Sequence, residues 1–86
     1  MPHISQLKLL ERLKTAQKSI KEKGIYYHHK NPKKLYRILH LAIDESTDTV
    51  SVVYQALYGK KIIFIRSLDS FLTPGKFMLK SAKLNV

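Results

Sequence analysis

An 86-residue chain with a net charge of +10 and no cysteine is one domain with a modest core. No disulfide or thiolate-bound metal can staple it. Its basic excess favours an anionic partner such as nucleic acid, an acidic protein surface or anionic lipid. The charge is uneven: residues 1–34 carry nine Lys or Arg against two acids, and residues 35–86 carry seven against four. No apolar run reaches the length of a membrane span. Lys8, Glu11, Arg12 and Lys14 interrupt the apolar stretch a secretory signal would need. A soluble, cytoplasmic protein is the expectation.

Residues 5–23 read as one amphipathic helix. At helical period Leu9, Leu10, Leu13, Ala16 and Ile20 share a face, while Lys8, Glu11, Thr15, Lys18 and Glu22 share the other. Ser5 suits the N-cap, and Gly24 the left-handed position just past the end. Lys21 and Lys23 suit the negative end of the helix dipole. The stripe is expected to bury against the chain's own sheet; a dimer seam is the other use for it.

Five strands are expected after the helix. Residues 25–30 form the first, rich in aromatics and ended by Asn31-Pro32. Residues 34–43 form the second, or less simply a helix, since short apolar runs are ambiguous. Leu35, Leu39, Leu41 and Ile43 line one face and Tyr36, Ile38 and Ala42 the other, so both faces should be covered. Residues 44–49 are a polar turn. The third strand spans residues 50–58, with Val50, Val52, Tyr54, Ala56 and Tyr58 inward. A Gly59-Lys60-Lys61 turn leads to a fourth, residues 62–66. If Arg66 points out, Ile62 and Phe64 do too, and Val53, Leu57, Ile62 and Phe64 make an outer patch for the helix. Residues 67–71 suit one 3₁₀ turn, and residues 76–82 a short edge strand. The expected fold is mostly β, a single α+β domain over residues 1–86. Its N-terminal helix packs on a five-stranded SH3-like β-barrel over residues 25–82.

Residues 24–71 resemble a small bacterial domain-of-unknown-function family, number sixteen fifty-three. Its pattern opens with Gly-x-Tyr-x-His-x-Lys, matched by Gly24, Tyr26, His28 and Lys30. Tyr36, Leu39, Ala42 and Thr47 match next. The specific block Val-Val-Tyr-x-Ala-Leu-Tyr-Gly is matched by Val52, Val53, Tyr54, Ala56, Leu57, Tyr58 and Gly59, and Arg66, Leu68 and Phe71 close the match. The family's His-Ser-Glu loop is Asp44-Glu45-Ser46 here, its Trp is Phe64, and its Pro after the arginine is Ser67. The resemblance implies a compact β domain and supplies no activity.

His28 and His29 are neighbours on a strand and point to opposite faces, so they do not share a metal. Asp44, Glu45 and Asp48 miss the spacing of a calcium loop and read as turn chemistry. No phosphate-binding loop, nucleophile elbow or dinucleotide fingerprint is present. No catalytic residue, metal or cofactor is therefore expected. Basic residues interleaved with tyrosines are the informative signal, because lysines grip phosphates and rings stack on bases. The candidate binding residues are Tyr27, Lys30, Lys33, Lys34, Arg37, Tyr58, Lys60, Lys61 and Arg66. Arg66 is also a candidate for a structural bond to residues 67–71. The expected function is non-enzymatic binding of a polyanion, most simply nucleic acid, by these residues and the helix's charged face. The alternative is a protein-interaction module, a homodimer included, using the helix stripe or the barrel edge. A small enzyme is the weakest third.

Overall fold

A computed structural model describes residues 5–73 and 76–81. The elements are α1 (Gln6–Ser19), β1 (Ile25–His28), β2 (Asn31–Asp44), β3 (Thr49–Ala56), β4 (Ile63–Ser67), α2 (Leu68–Phe71) and β5 (Phe77–Ser81). The five strands form one antiparallel sheet in the order β4-β3-β2-β1-β5. The protein is mostly β, an open five-stranded sheet with a helix. Ala82, at the end of the expected barrel, lies outside the described residues.

The sheet does not close, which corrects the expectation of a full barrel. Among the described residues β4 pairs only with β3, and β5 only with β1. The two edges are joined by side chains instead. The Arg66 guanidinium of β4 lies 5.3 Å from the Phe77 ring of β5. Phe71 of α2 stacks on Phe77 with centroids 4.3 Å apart. These side-chain contacts stand in place of a backbone ladder between β4 and β5, whose strands would have to approach to about 4.8 Å.

Ser5 caps α1 as expected, its hydroxyl accepting from the Lys8 N–H at 3.2 Å, which satisfies one of the open donors of the first turn. The helix ends earlier than expected. Ile20 is already extended, and the left-handed residue is Lys23 (φ 62°) rather than Gly24. The chain is drawn off the helix by the sheet: Lys23 N donates to Ile38 O at 2.8 Å, and Ile38 N donates to Gly24 O at 3.0 Å. The Tyr26 hydroxyl accepts from Lys21 N at 3.1 Å, so the exit keeps its backbone satisfied.

The buried core joins Ile20, Tyr26, Ile38, Val52, Tyr54 and Phe71, with Tyr36, Leu41, Leu68 and Phe77 against it. Val50, Val52, Tyr54 and Ala56 are buried on β3, as expected, while Tyr58, the fifth of that set, lies past the end of β3 and is half-buried, and Ser51 is buried as well. The helix does not land on the expected patch of Val53, Leu57, Ile62 and Phe64. Its exit residue Ile20 enters the same cluster as Val52 and Tyr54, so α1 covers the inner face. An open sheet leaves that face bare, and the helix stripe fills it.

Further corrections follow from the strands and turns. β2 is apolar on both sides because a bulge lies between Ile38 and His40. Before it Tyr36 and Ile38 face the core; beyond it Leu41 does, with Ile43 opposite the buried Val50. One extra residue re-aims the strand, so a single covered face uses both sets. In β4 the facing is the reverse of the expectation. Phe64 stacks on Tyr54 at 5.6 Å and Arg66 reaches the core ring Phe77, whereas Ile63 and Ile65 are 57% and 67% exposed. Residues 68–71 make an α turn rather than a 3₁₀ turn, with Leu72 N donating to Leu68 O at 2.9 Å and Ser67 as N-cap. Asn31 and Pro32 begin β2 rather than ending β1; His28 pairs with Asn31 across a two-residue turn.

Candidate functional site

The polar turns define the two ends of the sheet. At one end Asp44 Oδ1 accepts from Ser46 N at 3.0 Å and from Ser46 Oγ at 2.7 Å, and Asp48 N donates to Asp44 O at 2.8 Å. The acids there build the β2–β3 turn. Arg12 of α1 donates to the Asp48 carbonyl at 2.6 Å, which docks the helix at this end. A groove beside it, between α1 and α2, mixes Lys8 and Arg12 with Glu11 and Asp69 and so has no single charge preference.

The other end is basic and aromatic. Leu57 N donates to Leu35 O at 2.8 Å, which sets the start of β2 beside the turn at 57–62. That turn is tight, with left-handed Gly59 (φ 57°) and Lys61 (φ 54°) and a Lys61 N to Tyr58 O bond of 3.0 Å. The Lys34 ammonium then lies 5.2 Å from the centre of the Tyr58 ring, an attraction between cation and ring face. The Tyr58 and Tyr36 hydroxyls share a 2.7 Å hydrogen bond. Burial first, then that bond, pushes the Tyr36 phenol up to about 12, since both disfavour the phenolate.

Tyr36 is the hub of the rings. It meets Tyr54 at 5.6 Å, Tyr58 at 5.5 Å and Phe77 at 5.8 Å, all edge to face, the geometry that sets a ring's positive edge on a negative face. His28 meets Phe77 at 5.2 Å, and its Nδ1 accepts from Lys30 N at 3.1 Å. Its imidazole is held below the usual range, chiefly by burial and then by the positive charges of Arg66, Lys30, His29 and Lys76, all of which disfavour the imidazolium. Positive charge from β4, the β1–β2 turn and the entry to β5 thus gathers about one ring. Arg66 itself donates to Ser70 Oγ at 3.1 Å, which anchors its fork to α2.

The nine expected binding residues do not all share this surface. Lys34, Tyr58 and Arg66 belong to the aromatic side, and Lys30, Lys60 and Lys61 lie in the turns at the same end. Tyr27 and Arg37 alternate with Tyr26 and Tyr36 and fall on the reverse face, as does Lys33 beside Lys34. The Tyr27 hydroxyl donates to Met78 Sδ at 3.3 Å. Lys8, Glu11 and Thr15 of the helix's charged face sit by Thr49 and Val50, at the end of β2 roughly 30 Å from Lys34. They do not join the basic end. His28, Tyr36, Tyr54, Phe64 and Phe77 were not among the expected binding residues. The first four carried a signal, since they are aromatic positions of the family pattern, Phe64 standing where the family has Trp; Phe77 carried none. Among the described residues no three of His, Cys, Asp and Glu converge as a metal site, and no helix is long and apolar enough to cross a membrane.

A family model described as a protein of unknown function (DUF1653) matches residues 24–77. The match takes in every strand from β1 to β4, α2 and the first residue of β5. No curated protein and no solved structure matches the chain.

Proposed function

The chain belongs to the DUF1653 family of proteins of unknown function, and from that premise we propose that it is a non-enzymatic, cytoplasmic module that binds a polyanion, in the first place single-stranded nucleic acid. The observation that carries this reading is the Lys34–Tyr58 pair, with the Lys30 and Lys60–Lys61 turns at the same end of the sheet. Lys30, Lys34, Lys60 and Lys61 grip backbone phosphates, and the half-buried Tyr58 offers a ring for a base to stack on. Arg66, fixed by Ser70, presents one face of its fork to an anion beside His28. A stacked base contributes about 1–3 kcal/mol and is tolerant of sequence. The scaffold fits an SH3-like barrel left open between β4 and β5, on the strength of its strand order and the helical turn between those strands. Binding to another protein has its own support in the exposed apolar residues of β4.

The test is fluorescence anisotropy of a labelled single-stranded oligonucleotide against salt. Log affinity should fall linearly with log salt, and Lys34→Ala, Lys60→Ala and Lys61→Ala should each reduce the slope by about 0.7. Tyr58→Ala should weaken binding without changing the slope. A bound phosphate next to His28 should also raise its imidazole pKa, read by NMR titration. No binding at low salt, or binding indifferent to salt, refutes the reading.

A further inference from the structure

Among the described residues nothing pairs with the outer edge of β4, and that edge carries information that the basic end does not. Ala56 N donates to Ile62 O at 3.0 Å, in the register that pairs Tyr54 with Phe64 and Val52 with Arg66. Backbone groups in an antiparallel ladder alternate sides. Residues 62, 64 and 66 therefore bond β3, while Ile63, Ile65 and Ser67 turn their N–H and C=O groups away from it. The side chains at 63 and 65 stand on the face opposite Tyr54, 57% and 67% exposed. Exposed edges are normally blunted by a charge, a proline or a bulge. Residues 62–65 are Ile-Ile-Phe-Ile, and the one charge of β4, Arg66, is turned to the core face, over Phe77 and bonded to Ser70.

We propose that β4 is a dimerisation strand, pairing antiparallel with β4 of a second copy of this chain about a two-fold axis at Ile65. The charge pattern selects a second copy and this register. With Ile65 opposite itself, Ile63 faces Ser67 of the other copy, so each outward-facing residue meets another. Phe64 falls opposite Arg66, a ring against a cation. Just outside the paired strands, Lys61 of one copy and Asp69, in α2 of the other, stand at the same end of the pair, and this holds at both ends. Other two-fold registers are worse. An axis at Ile63 sets Lys60 against Arg66, an axis at Arg66 sets that arginine against itself, and an axis at Phe64 loses the Lys61–Asp69 match. The contact is isologous and closes on itself, which leaves β5 and the basic end of each copy outside it.

The absence of cysteine from the chain makes the register directly readable. Directly opposed residues of a hydrogen-bonded pair have Cα atoms about 5.5 Å apart, within disulfide reach. Ile65→Cys alone should therefore yield a disulfide-linked dimer on mild oxidation. Ile63→Cys alone should not, yet mixed with Ser67→Cys it should. By sedimentation the unmodified chain should run at twice its chain mass. Ile65→Lys and Ile65→Pro should run at the single mass with unchanged circular dichroism, since the proline removes only an outward N–H. Lys61→Asp and Asp69→Lys should each weaken the dimer, and the two together should restore it. A single-chain mass at every concentration overturns the proposal. So does a dimer that survives Ile65→Pro, or one captured through Phe64→Cys and not through Ile65→Cys.

Discussion

Gly24 shows how little room a buried turn leaves. Its φ is not left-handed, so what demands glycine is space. An added Cβ would stand 2.9 Å from the Lys21 carbonyl oxygen and 3.3 Å from Leu79 Cδ1. Backbone does not yield at that distance, so Gly24→Ala should destabilise by about 1–3 kcal/mol in chemical denaturation. A ΔΔG near zero would mean that the 21–24 turn can shift freely. Gly59 is the opposite case, with φ 57° and open space around the missing Cβ. Tyr36 makes a prediction about pH. Its phenol is raised from 10.0 to about 12 in the fold, so the unfolded chain ionises first. The contribution of Tyr36 is complete below pH 10 and is lost as pH rises towards 12, because the unfolded state then holds fewer protons than the folded one. Denaturation midpoints followed through that range should show the loss, and Tyr36→Phe should flatten this part of the curve. An unchanged slope in Tyr36→Phe would remove Tyr36 as its source.

At the scale of elements, α1 behaves as part of the core. Ala16 and Ile20 are buried, Leu9 and Leu13 half-buried, and Leu10 remains 47% exposed. The stripe is therefore spent mostly within the chain, which leaves little of it for a dimer seam. Because Ile20 is fully buried in the cluster with Ile38 and Phe71, Ile20→Ala should cost about 2–5 kcal/mol. Hydrogen exchange should show the β2 and β3 amides losing protection along with α1. Loss confined to α1 would instead mark the helix as a separable appendage. The amphipathic period and the Ser5 cap were legible because both are local. The landing face was not, since helical periodicity says which side of a helix is apolar and nothing about which side of a sheet receives it.

The molecule as a whole is elongated, 43 × 23 × 22 Å, with Asp44, Glu45 and Asp48 in the β2–β3 turn and Lys30, Lys33, Lys34, Lys60 and Lys61 at the far end of β2. That separation is why salt-dependent binding should follow Lys34, Lys60 and Lys61 and be far less sensitive to Lys8 or Lys14 on α1. It also sets apart the two proposals, for β4 can pair with a second copy while the lysine turns stay open. Local chemistry in the chain already specified the helix, the count of five strands, the inward set of β3 and the family, since each rests on spacing or on turn residues close in sequence. Closure, the bulge in β2, the facing of β4 and the gathering of rings on Tyr36 were decided by tertiary packing. Each of these depends on contacts between segments far apart in the chain: Arg66 and Phe71 meet Phe77 where β4 and β5 do not pair, and one extra residue before His40 exchanges the two faces of a strand. A pattern of apolar residues reads the same with or without that extra residue, and only the packed sheet distinguishes them.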